Sequence, residues 1–263
     1  MTADLTFAPI GLDELIERAA LLTRLDRKYL IPSGDLPALL TGLPADVRVL
    51  DVDGRRSFRY LSTYFDTAGL DSYLTTARQR RRRFKVRVRS YVDTGAQFLE
   101  IKTRGPRGTT IKQRFPYAGS SATLDPEAHT LAVQALAAAG VPADGLRFHP
   151  TLTTEYERTT LFVASTGSRV TIDRRLAWSL PDGTTTGTPG RVIVETKSER
   201  STSPVDQLLW SMSHRPCAIS KYATGLAALH PDLPANRWHR ILRAFQPQTQ
   251  PTPASARALE RQP

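Results

Sequence analysis

The strongest alternation of polar and apolar positions lies within residues 78–102, RQRRRRFKVRVRSYVDTGAQFLEIK. In the segment KVRVR at 85–89, three cations alternate with two valines. Successive side chains of a β-strand point to opposite faces, so the cations share one face. A turn around Gly95 leads to FLEIK at 98–102, where a glutamate and a lysine alternate with leucine and isoleucine. This pattern predicts a β-hairpin with one aliphatic and one charged face.

At least six predicted strands share this arrangement of charged and aliphatic faces. Outside the hairpin they fall at residues 25–31, 109–117, 150–164, 168–174 and 191–197, and residues 59–66 form a further predicted strand, rich in aromatic and β-branched residues. The charged faces together carry the cations Lys28, Lys85, Arg87, Arg89, Lys102, Lys112, Arg114, Arg158, Arg169 and Lys197. The acids on these faces are fewer, namely Asp26, Glu100, Asp173 and Glu195.

Helical periodicity predicts five helices, at residues 11–24, 35–43, 126–139, 203–212 and 233–244. In the clearest of them, Asp125 occupies the N-cap position and Gly140 follows the last turn. These helices are spaced along the chain between the strands, so they can cover the aliphatic faces of a sheet.

Composition marks the connections and the end of the chain. Turns are predicted at 105–108 and 182–190 from their content of Gly, Pro and Thr. Residues 246–263 lack an apolar pattern. We therefore expect a single domain over residues 1–245, followed by a disordered C-terminal tail.

The overall composition is that of a globular protein. An apolar fraction of 40% and a charged fraction of 23% are ordinary for a chain of 263 residues. The single cysteine, Cys217, excludes an intrachain disulfide framework and a cysteine-based metal cluster. No apolar run reaches the roughly 18 residues of a membrane span, and no signal peptide is evident. A cytoplasmic location is expected.

The net charge changes the interpretation of the charged faces. The formal net charge is +11, and such a surplus predicts a polyanionic partner. A solvated sheet face explains any one strand, but such faces usually mix both signs of charge. Sequential antiparallel strands can instead close into a barrel whose lumen holds one small ligand. The sequence therefore predicts an α+β fold: an antiparallel β-barrel of about eight strands, charged inside, with helices packed on the outside.

A basic lumen suits a nucleoside triphosphate or a linear polyphosphate. Arg binds phosphate oxygens in a bidentate manner, and Lys supplies a compact positive charge. The few carboxylates then gain a second use, since one or two carboxylates together with substrate phosphates usually hold Mg²⁺ or Mn²⁺. The metal and the cations together would stabilise the charge that develops in phosphoryl transfer.

Several short motifs resemble those of the VTC domain. They are DRKY at 26–29, STYFD at 62–66, KVRVRSY at 85–91, FLEIK at 98–102, Lys112 with Arg114, YER at 156–158, RVTID at 169–173, VETK at 194–197 and SKY at 220–222. Each motif alone is weak, but their order and spacing cover about residues 24–226. VTC domains belong to the triphosphate tunnel metalloenzymes, which are related to CYTH phosphatases. The resemblance implies a β-tunnel with basic walls and a divalent metal, Mn²⁺ or Mg²⁺.

The resemblance also implies roles for individual residues. The catalytic cations would be Arg87, Arg89, Lys102 and Lys112. Substrate phosphates would bind Lys28, Lys85, Arg114, Tyr156, Arg158, Arg169, Lys197 and Lys221. The metal would be held by Glu195, with Glu100 as a helper. Position 26 is Asp where the family usually has Glu, which shortens the reach of a carboxylate there.

The activity implied by the resemblance is synthesis of inorganic polyphosphate from the γ-phosphate of ATP, with release of ADP. ATP and polyphosphate are the expected partners. Two alternatives stay open: a tripolyphosphatase or nucleoside triphosphatase of the same fold, and a non-catalytic module that binds polyphosphate or nucleic acid. No helix-turn-helix, zinc-finger or aromatic stacking pattern supports a specific nucleic-acid partner.

Overall fold

A computed structural model describes residues 6–18, 25–105, 109–199 and 202–245. Three predicted features lie wholly or partly outside these residues: the second half of the 11–24 helix, most of the 105–108 turn and the 246–263 tail. The described residues form the strands β1 (Ala8–Ile10), β2 (Leu25–Pro32), β3 (Val47–Leu50), β4 (Phe58–Asp66), β5 (Lys85–Tyr91), β6 (Gln97–Arg104), β7 (Thr110–Pro116), β8 (His149–Val163), β9 (Ser168–Ser179), β10 (Thr185–Gly187) and β11 (Arg191–Ser198). They also form the helices α1 (Leu12–Arg18), α2 (Leu36–Thr41), α3 (Asp71–Ala77), α4 (Pro126–Ala138), α5 (Pro204–Ser211), α6 (Lys221–Leu229) and α7 (His239–Arg243).

Eight strands form one continuous antiparallel path, in the order β2-β11-β9-β8-β4-β5-β6-β7. This confirms the predicted α+β fold built on about eight antiparallel strands. Three short strands lie off the path: β10 pairs with β9, β3 with β8, and β1 with β3 in parallel. No backbone pairing joins β2 to β7 within the part of the chain that the structure describes. At the β2 edge, the amide of Cys217 instead donates to the carbonyl of Lys28 at 2.7 Å.

The predicted hairpin is formed by β5 and β6. Its register sets Lys85 opposite Lys102 and Arg87 opposite Glu100, so charged side chains share one face. The valines of β5 lie on the other face and pack against the alanines of α4. Alternation along the two strands therefore separates the charged face from the core, as the sequence predicts.

Helices cover the aliphatic faces of the other strands in the same way. Buried side chains of α2 and α5 pack on β2, β3, β9 and β11. Buried side chains of α3, α6 and α7 pack on β4, β8 and β9. The hydrophobic core thus lies between strands and helices, and the charged faces are left to the interior of the strand path.

Asp206 fixes α5 against β2 and β11. Its buried carboxylate accepts hydrogen bonds from Tyr29 at 2.7 Å, from Thr196 at 2.6 Å and from Arg27 at 3.1 Å. Ser203 and Asp206 also form a capping box at the start of the helix. Because Tyr29 and Thr196 lie on the outer side of their strands, this network holds the neighbouring residues of both strands facing inward.

Some elements differ from the sequence-based prediction. Helix α6 occupies residues that the sequence indicates only as a short segment, because the helix is largely buried and its apolar positions are not confined to one stripe. Its Gly225 is required by packing, since a Cβ there would lie 2.2 Å from the ring of Trp178. Strand β10 falls within the predicted turn at 182–190, where pairing with β9 overrides composition.

Candidate functional site

The charged faces of the strands line a cavity of about 370 Å³. Of the described residues that line it, eleven are Lys or Arg and three are Asp or Glu. The cations are Lys28, Lys85, Arg87, Arg89, Lys102, Lys112, Arg114, Arg158, Arg169, Lys197 and Lys221. All six lysines of the chain belong to this set, so cations elsewhere in the chain are arginines. The structure thus brings together every cation that the sequence analysis assigned to phosphate.

Glu100 is the central counterion of the cavity wall. Its Oε2 accepts from Arg87 Nε at 2.9 Å and Nη2 at 2.5 Å, and Lys112 Nζ lies 2.6 Å from Oε1. Burial opposes the charged form, but Arg87, Arg89 and Lys112 outweigh it and hold the pKa of Glu100 far below its usual range. Both oxygens therefore face protein cations. The role of Glu100 as a helper metal ligand stays a prediction, and in this structure its carboxylate is engaged by Arg87 and Lys112.

Asp173 is the counterion of a second group of cations. It accepts from Arg158 Nε at 2.6 Å and Nη2 at 2.8 Å, and it also contacts Lys221. Burial opposes ionisation, yet Arg158 and Lys221 lower the pKa of Asp173 to about 2. The sequence analysis placed Asp173 on the charged face without a role. The pairing of β8 with β9 would have indicated this role, because Asp173 lies directly opposite Arg158 in the register of the two strands.

Tyrosine hydroxyls form a second layer that orients the arginines. Tyr64 accepts from Arg87 Nη1 at 2.9 Å, and Tyr156 accepts from Arg89 Nη2 at 3.0 Å. Tyr156 is 1% exposed and is not among the cavity-lining residues. Its hydroxyl therefore orients Arg89, and direct contact of Tyr156 with substrate stays a prediction. Tyr64 was missed by the sequence analysis, although the alternation of STYFD at 62–66 places it on the same face as Ser62.

Four of the cavity cations have no carboxylate within salt-bridge distance in the described residues: Lys28, Lys85, Lys102 and Arg114. Lys85 donates to Ser220 Oγ at 2.9 Å. Burial, together with Lys28 and Arg87, lowers the pKa of Lys85 to about 7. Burial, together with Arg87 and Arg89, lowers the pKa of Lys102 well below its usual range. A bound anion would favour the charged forms of Lys85 and Lys102.

This environment predicts an unusual pH dependence for the chemical reactivity of Lys85. Only the neutral amine reacts with amine-selective reagents, so its labelling should rise through about pH 7 in the folded protein but only near pH 10 after unfolding. A bound polyanion favours the charged ammonium, raises the pKa and should slow labelling at about pH 8. Residue-resolved mass spectrometry with and without inorganic tripolyphosphate measures both effects. Identical pH profiles in the folded and unfolded protein would contradict the assignment.

The lowered pKa of Lys85 also makes the contribution of this residue to the stability of the ligand-free protein depend on pH. Between about pH 7 and the ordinary lysine pKa, the unfolded chain binds more protons at Lys85 than the folded protein does. This contribution to the free energy of unfolding therefore increases as the pH rises through that window. The increase is complete only above the pKa of the lysine in the unfolded chain.

Glu195 is the carboxylate that the motif resemblance assigns to the metal, and it lies in the cavity wall. Burial opposes ionisation, but Lys197, Lys28 and Arg158 hold the pKa of Glu195 well below its usual range. Its Oε1 lies 2.6 Å from Lys197 Nζ. In the described ranges, no three His, Cys, Asp or Glu side chains converge into a metal-ligand cluster. A divalent cation here would therefore rest on Glu195 together with phosphate oxygens of the substrate.

A comparison with models of protein families identifies the domain that contains this cavity. The profile of the VTC domain matches residues 23–230 of the 263-residue chain. The chain belongs to the VTC domain family. The resemblance drawn from the motifs is thereby confirmed, and with it a tunnel-type fold and a function related to polyphosphate. Tunnel proteins of this type are generally dependent on a divalent metal.

Several solved structures are similar to this VTC domain. A putative adenylyl cyclase from Hippeastrum, HpAC1, described as having a dominant triphosphatase activity, is 16% identical and has a TM-score of 0.48. The match covers 77% of this chain and 94% of that one. A conserved hypothetical protein from Pyrococcus furiosus is 15% identical, with a TM-score of 0.39, over 73% of this chain and 88% of its own. No curated protein matches the chain in sequence.

Among the residues whose structure is described, no helix combines the length and the apolar character that a membrane span requires.

Proposed function

We propose that this VTC domain is a metal-dependent polyphosphate polymerase, which transfers the γ-phosphate of ATP to the end of a polyphosphate chain and releases ADP. The observation that carries the proposal is the continuation of the basic cavity into a second one. The second cavity has a volume of about 270 Å³, and it shares Asp26, Lys28, Lys85 and Ser220 with the first. The two cavities therefore meet at shared walls.

The second cavity adds cations that a single triphosphate does not need. Arg83 and Arg237 line it, and neither has an ion pair in the described part of the chain. Burial, Arg104 and Arg237 together lower the pKa of Arg83. The exposed arginines at 80–82 directly precede it. Removal of one terminal phosphate requires only the first cavity, whereas elongation requires a basic path for a longer chain.

In the proposed reaction, an oxygen of the terminal phosphate of the chain attacks the γ-phosphorus of ATP. The bond from that phosphorus to the β,γ-bridging oxygen breaks, and ADP leaves with this oxygen. Arg87 and Arg158 are held in place by Glu100 and Asp173, so they can neutralise phosphate oxygens without reorganisation. A divalent cation at Glu195 would add Lewis-acid stabilisation of the same oxygens.

Phosphorus-31 NMR of the purified protein with ATP and Mn²⁺ tests the proposal. We expect a growing signal from internal phosphates of a chain, accompanied by ADP. Orthophosphate as the sole phosphate product, from ATP or from added tripolyphosphate, would make the protein a triphosphatase. Metal-dependent broadening of the phosphate signals without any product would leave a binding module.

The same spectra test the role of the second cavity. Substituting both of its added cations, as Arg83→Gln with Arg237→Gln, should shorten the mean product chain about threefold or more, because the elongating chain loses two charge-assisted contacts. Arg240→Gln is the matched control, since it removes an exposed arginine that lines neither cavity. If the double variant made polyphosphate of unchanged length, the growing polyphosphate would not pass through the second cavity.

A further inference from the structure

We propose that helix α1 forms a nucleobase shelf at the rim of the main cavity, on which the base of ATP rests while its phosphates occupy the basic interior. The proposal rests on the proposed function, because that function names ATP as the phosphate donor. It adds the part of the protein that distinguishes a nucleotide from an inorganic phosphate chain.

The shelf consists of two aliphatic side chains that line the cavity and yet remain exposed. Leu12 is 49% exposed and Ile16 is 57% exposed, and both contribute to the cavity wall. Their spacing of four residues puts them on one face of α1, one above the other. Single exposed aliphatic residues are common on protein surfaces. Here two of them adjoin a wall whose other described residues are mostly charged or polar.

Contacts on the other sides of α1 hold this face toward the cavity. Leu15 is buried and packs against Leu50 and Phe162. Glu14 accepts from Arg48 Nη1 at 2.5 Å and from Arg48 Nη2 at 3.1 Å, which ties the helix to β3. The helix is thus anchored through its buried and its charged sides. If α1 rotated so that Leu12 and Ile16 became buried, the packing of Leu15 and the ion pair of Glu14 with Arg48 would both be lost.

The chemistry of the cavity selects the occupant of the shelf. Eleven cations call for a polyphosphate, but a polyphosphate chain has no apolar group to cover aliphatic side chains. A nucleoside triphosphate has both parts in one molecule, since its base is a flat and largely apolar ring. Among the described residues, the second cavity offers a smaller apolar surface: Trp238 is 1% exposed and Ile219 is 4% exposed. Its remaining added apolar residues, Cys217 and Ala218, are small, and Arg83 and Arg237 lie beside them. The base therefore fits the α1 rim better.

Equilibrium binding without a divalent cation tests the shelf separately from turnover. The variant is Leu12→Gln with Ile16→Gln, because glutamine keeps helix propensity and adds no charge. We expect its affinity for ATP to fall about tenfold, which corresponds to 1.4 kcal/mol, and its affinity for inorganic tripolyphosphate to change by less than about twofold. The matched control is Leu25→Gln, which changes a leucine of similar exposure, 44%, that does not line the cavity.

Three outcomes would overturn the shelf. An equal loss of affinity for ATP and tripolyphosphate would show an effect on the phosphate site, and an unchanged affinity for ATP would place the base elsewhere. A loss confined to an alkyl diphosphate, used as a third probe, would assign the rim to a lipid-like substrate. If NMR shows hydrolysis instead of polymerisation while the ATP-selective loss is observed, the shelf stands and only the polymerase proposal fails.

Discussion

Lys102→Met is expected to reduce phosphate turnover by about 10²- to 10³-fold, the scale of losing one electrostatic group that stabilises transferred charge. The same change should stabilise the empty protein. Lys102 lies in the cavity wall without a hydrogen-bond or ion-pair partner among the described residues, and Arg87, Arg89 and Lys28 repel its charge. Methionine removes this unfavourable burial, so the free energy of unfolding should rise by roughly 1–3 kcal/mol. Steady-state kinetics and urea unfolding measure the two effects.

A substitution that lowers activity but raises stability indicates a residue whose role is to bind ligand and not to stabilise the fold. Every lysine of the chain lines the cavity, so the control has to be an arginine: Arg240→Met removes an exposed cation on α7 and should change neither quantity appreciably. If Lys102→Met retained full activity, Lys102 would have no role in phosphate transfer. A loss of both activity and stability would mean that its ammonium supports the fold.

Glu100→Gln is expected to destabilise the fold by about 3–5 kcal/mol, the cost of removing one partner of a buried ion pair. Arg87 and Lys112 would then face each other without a counterion, and the neutral amide cannot balance them. Because the ionised carboxylate is stabilised in the folded state, the contribution of Glu100 should be present above the pKa of the unfolded carboxyl and be lost only in strong acid. Urea unfolding of the wild type and the variant, at neutral and at acidic pH, checks both statements.

Two further variants separate the ion pair from a general effect of losing a carboxylate. Glu155→Gln breaks an exposed pair with Arg59, and we expect it to cost less than about 1 kcal/mol. Adding Arg87→Met to Glu100→Met should recover part of the lost stability, since no unpaired charge of that pair then remains. A Glu100 variant as stable as the Glu155 variant would refute the counterion role. The pairing also means that Arg87→Ala alone is a poor test of catalysis, because it perturbs the fold as well.

Much of the site follows from local sequence. Alternation in KVRVR at 85–89 and FLEIK at 98–102 assigns side chains to faces, because the period of two in a β-strand depends only on the backbone of that strand. The cations of five other segments were found by the same rule, and the motifs in order indicated the family. The strand path and the cavity that it lines agree with these expectations.

Helix α6 shows where local pattern is insufficient. Its sequence contains Gly225, which lowers helix propensity, and its apolar residues are not confined to one stripe. Packing against Trp178 supplies the stabilisation that the isolated segment lacks, and the same contact demands a glycine. The sequence could not indicate this contact, because the two residues come from distant parts of the chain.

The sequence by itself determined which residues are charged, which face of its strand each one occupies and which family the chain belongs to. Only the tertiary structure decided what each charge does. Glu100 and Glu195 look alike in their strands, yet two cations from β5 and β7 engage both oxygens of Glu100, while Glu195 faces the cavity beside Lys197. Tyr156 likewise lies behind Arg89. These differences depend on side-chain distances and burial, which the alternation of residues along a strand does not specify even between neighbouring strands. At such short range electrostatic energy changes steeply with distance and burial.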